Sequence, residues 1–120
     1  MKIVDRFLDT LAARDFPTLR GLLADDVWCR AMLVREIVEL HTADDAVRLF
    51  ESWYGTPAEL RLEEHQHHPM MGRHFVRYRM GLRPHWAPER WHRVEQSGYL
   101  TVRNDQIQRI DLACTGFFPT

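Results

Sequence analysis

The stretch DRFLDTLAARDFPTLRGLLADDVWCRA, residues 5–31, decides the fold, because it changes from helical to strand periodicity within a short distance. Apolar residues recur at helical spacing in two groups: Val4, Phe7, Leu8 and Leu11, then Leu19, Leu22 and Leu23. Asp15 and Pro17 break the pattern between the groups. VWCRAML, residues 27–33, is a short apolar run typical of a strand. Two packed helices and a first strand are therefore predicted.

The following residues predict one more strand and one more helix. VREIVELH, residues 34–41, contains β-branched residues and is interpreted as a strand. Thr42 is a good N-cap for a third helix, with Asp44 and Asp45 in the first turn and Gly55 as its end. The predicted buried stripe of this helix consists of Ala46, Phe50, Trp53 and Tyr54.

Four long strand-like segments make up the rest of the chain. They are ELRLEEHQHH (59–68), RHFVRYRMGL (73–82), RWHRVEQSGYLTV (90–102) and QIQRIDLACTGFF (106–118). The turn-rich segments PMMG, RPHWAPE and RND divide them, which indicates an antiparallel meander. The element order predicts an α+β fold in which one concave sheet wraps around the helices and encloses a pocket.

Composition limits the classes of function. A chain of 120 residues with 45% hydrophobic content suits a single domain, residues 1–120. The balance of 16 basic and 17 acidic residues gives no electrostatic footprint for nucleic acid or anionic membranes. No apolar run approaches the roughly 20 residues of a membrane span, and the start predicts an amphipathic helix rather than a signal peptide. Cys29 and Cys114 are expected to be unpaired core residues, which fits a cytoplasmic protein.

Both ends of the chain resemble a known superfamily. The opening stretch and the ending NDQIQRIDLACTGFFP, residues 104–119, are similar to ketosteroid isomerase, SnoaL-type polyketide cyclases and other nuclear transport factor 2-like proteins. In those proteins a helix pair ends in a similar L-x-A-D-D, and a short turn and an Ile lead into the last strand. The resemblance implies a cone-shaped α+β barrel of three helices on a curved, mainly antiparallel sheet, with a homodimer formed through the sheet. It implies no single reaction, because this fold carries isomerases, dehydratases, cyclases, epoxide hydrolases and binding modules.

The catalytic positions of these relatives carry unsuitable residues here. In the comparison with ketosteroid isomerase, Phe7 stands at the tyrosine, Ala31 at the proton-transfer base and Ser97 near the protonated acid. The Asp-Arg-Asp positions of limonene epoxide hydrolase fall on Tyr78, Met80 and Leu112. Asp111 is one residue away from the last of these and is predicted to face outward, since a one-residue offset reverses the face of a strand.

Strand alternation predicts which side chains line the pocket. In residues 74–82 the inward set is His74, Val76, Tyr78, Met80 and Leu82. For the next strand, the isomerase comparison puts one set inside: Trp91, Arg93, Glu95 and Ser97. Hydropathy favours the alternate set: Val94, Leu100 and Val102. A bulge near Ser97 and Gly98 would reconcile the two.

We predict a cofactor-independent acid-base enzyme, of cyclase, isomerase or dehydratase type, acting on a hydrophobic substrate such as a polyketide. The candidate catalytic residues are Glu95, Tyr78, Arg93 and His74. If Glu95 faces the apolar interior, desolvation raises its pKa and suits it to acid-base work, with Arg93 or Tyr78 binding a substrate oxygen. The candidate substrate-binding residues are Trp28, Phe7, Trp53, Met80, Trp91, Ser97, Leu112 and Cys114. The alternative is a non-catalytic binding or dimerisation module, in which Arg93 and Glu95 form a structural ion pair.

The histidine-rich stretch EEHQHHPMMGRHF, residues 63–75, has two interpretations. His65 and His67 share one side of a strand, and His74 on the neighbouring strand can approach them, which is a geometry that a transition metal accepts. No H-E-x-x-H or paired-cysteine signature accompanies these histidines. We therefore predict no metal, and either surface histidines or one pocket histidine that acts on substrate.

Overall fold

A computed structural model of the chain describes residues 2–120. It contains three helices, α1 (Lys2–Ala13), α2 (Phe16–Leu22) and α3 (Ala43–Tyr54). Its strands are β1 (Leu23–Met32), β2 (Ile37–Leu40), β3 (Glu59–Met70), β4 (Arg73–Arg83), β5 (His92–Arg103), β6 (Gln106–Cys114) and β7 (Phe118–Pro119).

The strands form one curved sheet in the order β2-β1-β6-β5-β4-β3, and β7 pairs with β5. β1 and β6 are parallel, whereas all the other strand pairs are antiparallel. The helices pack on the sheet, with α1 against β3 and β4, and with α2 and α3 against β1. The predicted α+β class, with three helices on a mainly antiparallel sheet, is confirmed.

Polar side chains and a glycine define the helix ends, and the predicted Thr42 cap and Gly55 end of α3 are both present. The Asp15 carboxylate accepts hydrogen bonds from the Thr18 amide at 3.2 Å and from the Thr18 hydroxyl at 2.7 Å, which satisfies a free amide at the start of α2. The Thr42 hydroxyl accepts from the Asp45 amide at 3.2 Å at the start of α3. Gly55 ends α3, and its amide donates to the carbonyl of Glu51 at 2.8 Å.

Three boundaries differ from the prediction. Leu23 is extended, at φ −95° and ψ 140°, and belongs to β1 rather than to the second helix. β2 is shorter than the predicted strand over residues 34–41. The last predicted strand ends at Cys114, because the chain turns through Gly116 at φ +83° and then returns as β7 beside β5.

The core lies between the helices and one face of the sheet, which we call the inner face. The Phe7 ring packs edge-on against Phe50 and Tyr78, with ring centroids 5.7 and 6.2 Å apart, and all three side chains are fully buried. Both cysteines are unpaired, as predicted, with Cys29 buried and Cys114 half-buried. None of the helices described between residues 2 and 120 is long and apolar enough to span a membrane.

Candidate functional site

The residues on the inner face of β5 are those that hydropathy favoured, and not those that the isomerase comparison put inside. Val94, Gln96 and Leu100 are at most 1% exposed. The pairing of β4 with β5 runs without a shift from the His74–Leu100 pair to the Leu82–His92 pair. The shift lies instead between Thr101 and Val102, where β5 pairs with β6. The predicted bulge near Ser97 and Gly98 is therefore wrong, and so is the inward set that depended on it: Trp91, Arg93, Glu95 and Ser97.

Glu95 and Arg93 lie on the opposite, outer face of the sheet in ion pairs. A Glu95 carboxylate oxygen accepts hydrogen bonds from Arg77 at 2.7 Å and from Arg79 at 3.4 Å. The Arg93 guanidinium donates to Glu63 at 2.7 Å, and this contact lowers the pKa of the Glu63 carboxyl. Charged side chains remain solvated and paired on this face, so the predicted place of Glu95 and Arg93 inside the pocket is wrong.

Three predicted substrate-binding residues also lie on the outer side of the sheet. The Arg109 guanidinium sits 4.2 Å above the ring of Trp28, which is 38% exposed. Trp91 is stacked in the same way under Arg61, at 4.1 Å. Ser97 lines a cavity of about 410 Å³ on the outer face. Cation-π contacts explain why these tryptophans stay at the surface.

The other predicted substrate-binding residues lie at the inner face. Phe7 and Met80 are completely buried, and Leu112 is almost so. Trp53 is half-buried and packs edge-on against Phe50, while half-buried Cys114 packs against the core. These five positions lie on the inner side, and Asp111 faces outward as predicted, paired with Arg109 at 2.8 Å.

A line of neutral polar groups crosses the inner face. The Tyr78 hydroxyl donates to the Gln96 side-chain oxygen at 2.6 Å, and the Gln96 amide nitrogen lies 3.5 Å from the Cys114 sulfur. The Tyr54 hydroxyl is buried with no partner among residues 2–120. Burial raises the pKa of both phenols well above the usual range. These groups can give hydrogen bonds, but they do not supply a base at neutral pH.

Two histidines and an aspartate form a chain of polar contacts beside the inner face. His67 Nδ1 lies 3.0 Å from His74 Nε2, so the predicted approach of these two histidines is confirmed. His67 Nε2 lies 2.7 Å from the carboxylate of Asp5, which α1 brings over β3. The three side chains are joined end to end, and no group of three or more His, Cys, Asp or Glu residues among those described converges as a metal site would.

Burial determines the charge of His74. The side chain is 5% exposed, and desolvation, followed by the neighbouring His67, lowers its pKa below the ordinary value of 6.5. The hydrogen bond from His67 lowers the pKa of Asp5. At neutral pH His74 is therefore an uncharged imidazole, which can accept a proton. Its contact with His67 connects it to the carboxylate of Asp5.

His74 lines a cavity of about 350 Å³ between the β3–β4 hairpin and β5. Five of its eight lining residues are apolar, and a glycine, an arginine and the histidine complete it: Pro69, Met70, Met71, Leu100 and Val102, with Gly72, Arg73 and His74. His74 is the one lining residue whose ordinary pKa lies near neutrality. The cavity thus combines apolar side chains with one imidazole and the charged Arg73 side chain, an arrangement suited to a small molecule that has an apolar body and a polar group.

Sequence reasoning missed Gln96 and Asp5. Gln96 was detectable, because it shares the phase of Val94 and Leu100 that hydropathy favoured. Asp5 had no signal, since nothing local indicates that α1 crosses β3 beside His67.

Comparison with known proteins assigns the family. The sequence matches the model of the SnoaL-like domain over residues 4–110, and the chain belongs to the SnoaL-like family of the nuclear transport factor 2-like superfamily. A search of curated proteins found no significant match.

Several solved structures share the fold at low identity. A candidate polyketide cyclase from Xanthomonas campestris pv. campestris is 14% identical, with a TM-score of 0.76 over 93% of this chain and 87% of that one. An LEH-like epoxide hydrolase from M. tuberculosis is 16% identical, with a TM-score of 0.68 over 94% and 80% of the two chains. A candidate ketosteroid isomerase from Kribbella flavida is 17% identical, with a TM-score of 0.67 over 96% and 76%.

Proposed function

We propose that residues 1–120 form a single SnoaL-like domain that binds a small hydrophobic molecule and acts on it as a cofactor-independent acid-base enzyme. The reaction is of the cyclase, isomerase or dehydratase type, on a carbonyl compound such as a polyketide. His74 exchanges the proton, and Tyr78 remains a hydrogen-bonding group of the interior. The names of the structural neighbours, polyketide cyclase and ketosteroid isomerase, support this substrate class.

The observation that carries the proposal is the position of His74. Its imidazole is enclosed, neutral and adjacent to a partly apolar cavity, so it meets the requirements for a general base at neutral pH. An apolar wall beside the base orients a hydrophobic substrate and excludes water from the reacting atoms.

The test uses 1-tetralone, a small aromatic ketone with exchangeable hydrogens next to its carbonyl. Incubation in D₂O and detection by proton NMR report how fast the protein removes those hydrogens. We expect exchange clearly above the buffer rate, and a loss of about 100-fold or more in His74→Gln. A wild-type rate equal to that of buffer contradicts the proposal.

His85→Gln is the matched control, because it removes an exposed histidine from the segment between β4 and β5. The control should keep the wild-type rate. Equal losses in the two variants would assign the exchange to a general effect of histidine removal and would count against His74.

The alternative is a non-catalytic ligand-binding or dimerisation module. It is favoured by the residues at the family's catalytic positions, since Phe7 and Ala31 are buried apolar side chains and Ser97 lies on the outer face. This alternative predicts that 1-tetralone binds without any exchange.

The proposal includes a homodimer formed through the outer face and a cytoplasmic location. Support for the dimer comes from apolar side chains around the outer cavity, among them Met32 and Phe75. The two unpaired cysteines support a reducing compartment. Sedimentation velocity should give a dimer for the wild type and a monomer for Phe75→Glu, whereas a wild-type monomer would rule the dimer out.

A further inference from the structure

The hydrogen bonds to His74 define the path that a proton takes away from the cavity. An ionised carboxylate only accepts hydrogen bonds, so His67 must carry a proton on Nε2 to bond to Asp5 at 2.7 Å. When His67 is neutral, its Nδ1 is an acceptor, and His74 Nε2 must donate to it across 3.0 Å. The remaining nitrogen, His74 Nδ1, then carries the lone pair.

That nitrogen is the one available to a substrate. His74 Nδ1 makes no hydrogen bond to any of residues 2–120, and it is not among the fully enclosed polar atoms that lack a partner. The ring itself lines the cavity between the hairpin and β5. A substrate held against Met70 and Leu100 therefore meets a basic nitrogen rather than an N–H group.

We propose that Asp5, His67 and His74 form a proton relay that carries a proton from a C–H bond of the substrate, next to a carbonyl group, to the protein surface. This inference rests on the proposed function and adds two positioning residues, Asp5 and His67. The substrate class is an apolar ketone or related carbonyl compound with an acidic C–H bond.

The step balances in protons and charge. His74 Nδ1 takes the proton, and the electron pair of the C–H bond moves into the substrate to form an enolate. His74 passes its Nε2 proton to His67 Nδ1, which leaves His74 neutral and His67 as a cation beside the Asp5 carboxylate. Asp5 is 57% exposed at its side chain, so water can exchange the proton there.

The carboxylate is what makes this direction favourable. A positive charge next to Asp5 is stabilised by attraction, whereas the same charge on enclosed His74 is desolvated. The other titratable side chains that act on the relay are His65, near Asp5, and His68, near His74. Because His65 acts on Asp5, the control histidine is His85, which is exposed and lies in the segment between β4 and β5.

The activity test compares two pairs of variants in the 1-tetralone exchange. Asp5→Asn and His67→Gln should each lower the rate about tenfold or more, because the proton can no longer leave through a cation-carboxylate pair. Asp9→Asn, an exposed aspartate on the same helix, and His85→Gln should keep the wild-type rate. Wild-type rates in Asp5→Asn and His67→Gln, with the rate lost only in His74→Gln, would overturn the relay and leave the proposed function intact.

A second readout separates the relay from catalysis. Nitrogen-15 NMR of the imidazoles should show both His67 and His74 protonated on Nε2 at neutral pH. Asp5→Asn should lower the pKa of His74, since the Asp5 charge raises it, and Asp9→Asn should not. A proton on His74 Nδ1, or a His74 titration unaffected by Asp5→Asn, would overturn the relay even if the ketone exchanges. The expected NMR pattern with no wild-type exchange would instead refute the enzymatic function and leave only the hydrogen-bonded chain of the three side chains.

Discussion

The two faces of β4 and β5 carry opposite kinds of polar chemistry. On the outer face, Arg77, Arg79 and Glu95 are charged, part-exposed and paired with one another. On the inner face, Tyr78 and Gln96 are neutral, enclosed and hydrogen-bonded at 2.6 Å. On these two strands the charged side chains therefore lie on the outer face, and the polar side chains that are buried are neutral.

The same contrast explains why we propose a histidine as the base. An ionised carboxylate inside an apolar core requires partners that compensate for lost solvation. An imidazole is neutral at neutral pH when it is desolvated, and it still accepts a proton. His74 fits the inner face for this reason, whereas Glu95 fits the outer one.

The largest expected difference between the two environments is in packing. Phe7→Ala should lower the free energy of unfolding by about 3–5 kcal/mol, because it leaves a cavity between Phe50 and Tyr78. Phe118→Ala, at a side chain that is 60% exposed, should change it by about 0.5 kcal/mol or less. Urea denaturation measures both, and equal effects would show that the inner face is not the core.

The next effect concerns the enclosed hydrogen bond. Tyr78→Phe should lower the free energy of unfolding by about 1–3 kcal/mol, because the Gln96 oxygen loses its donor inside the protein. In the double variant Tyr78→Phe with Gln96→Leu, the total loss should be smaller than the sum of the two single losses. Strict additivity in the same denaturation assay would mean that the two side chains do not interact.

A smaller effect is expected from pH. The folded protein holds the pKa of His74 below 6.5, so protons bind the unfolded chain more readily. Stability should be complete above pH 6.5 and should fall as the pH drops below it, until His74 titrates in the folded state too.

The lowered pKa of Asp5 also makes the stability fall with falling pH. This loss begins only below pH 3.8, the ordinary pKa of the carboxyl, and continues until Asp5 is protonated in the folded state. Denaturation of His74→Gln above and below pH 6.5 should lack the loss that His74 causes. An unchanged pH profile in the variant would assign the loss to other groups.

The smallest effect should come from the outer face. Glu95→Gln should change stability by less than about 1 kcal/mol, since exposed ion pairs contribute little and salt screens them. It should also leave the 1-tetralone exchange rate unchanged. A large loss of exchange in this variant would return Glu95 to the site and contradict the inner-face account.

Local patterns were sufficient to predict most of the fold. Helical spacing, the Thr42 cap and the Gly55 end predicted α3 within one residue. Strand alternation predicted the inner face of β4 from His74 to Leu82. These features depend on neighbours in sequence, so the sequence alone could define them.

The site was harder to predict because it depends on long-range contacts. The face of β5 was mistaken because positions were counted from a distant relative, and a single register step reverses every side chain. Hydropathy had the correct phase and would have found Gln96. Asp5 meets His67 across 62 positions of sequence, and no periodicity reports such a contact.

The most direct test of the central claim is where a ligand binds, on the inner or on the outer side of the sheet. Three of the five methionines mark the two cavities, Met70 and Met71 beside His74 and Met32 on the outer face. Carbon-13 NMR of methionine methyl groups during titration with 1-tetralone should move the Met70 signal and leave Met32 in place, each assigned by a Met→Leu variant. A shift of Met32 with an unmoved Met70 would contradict the account.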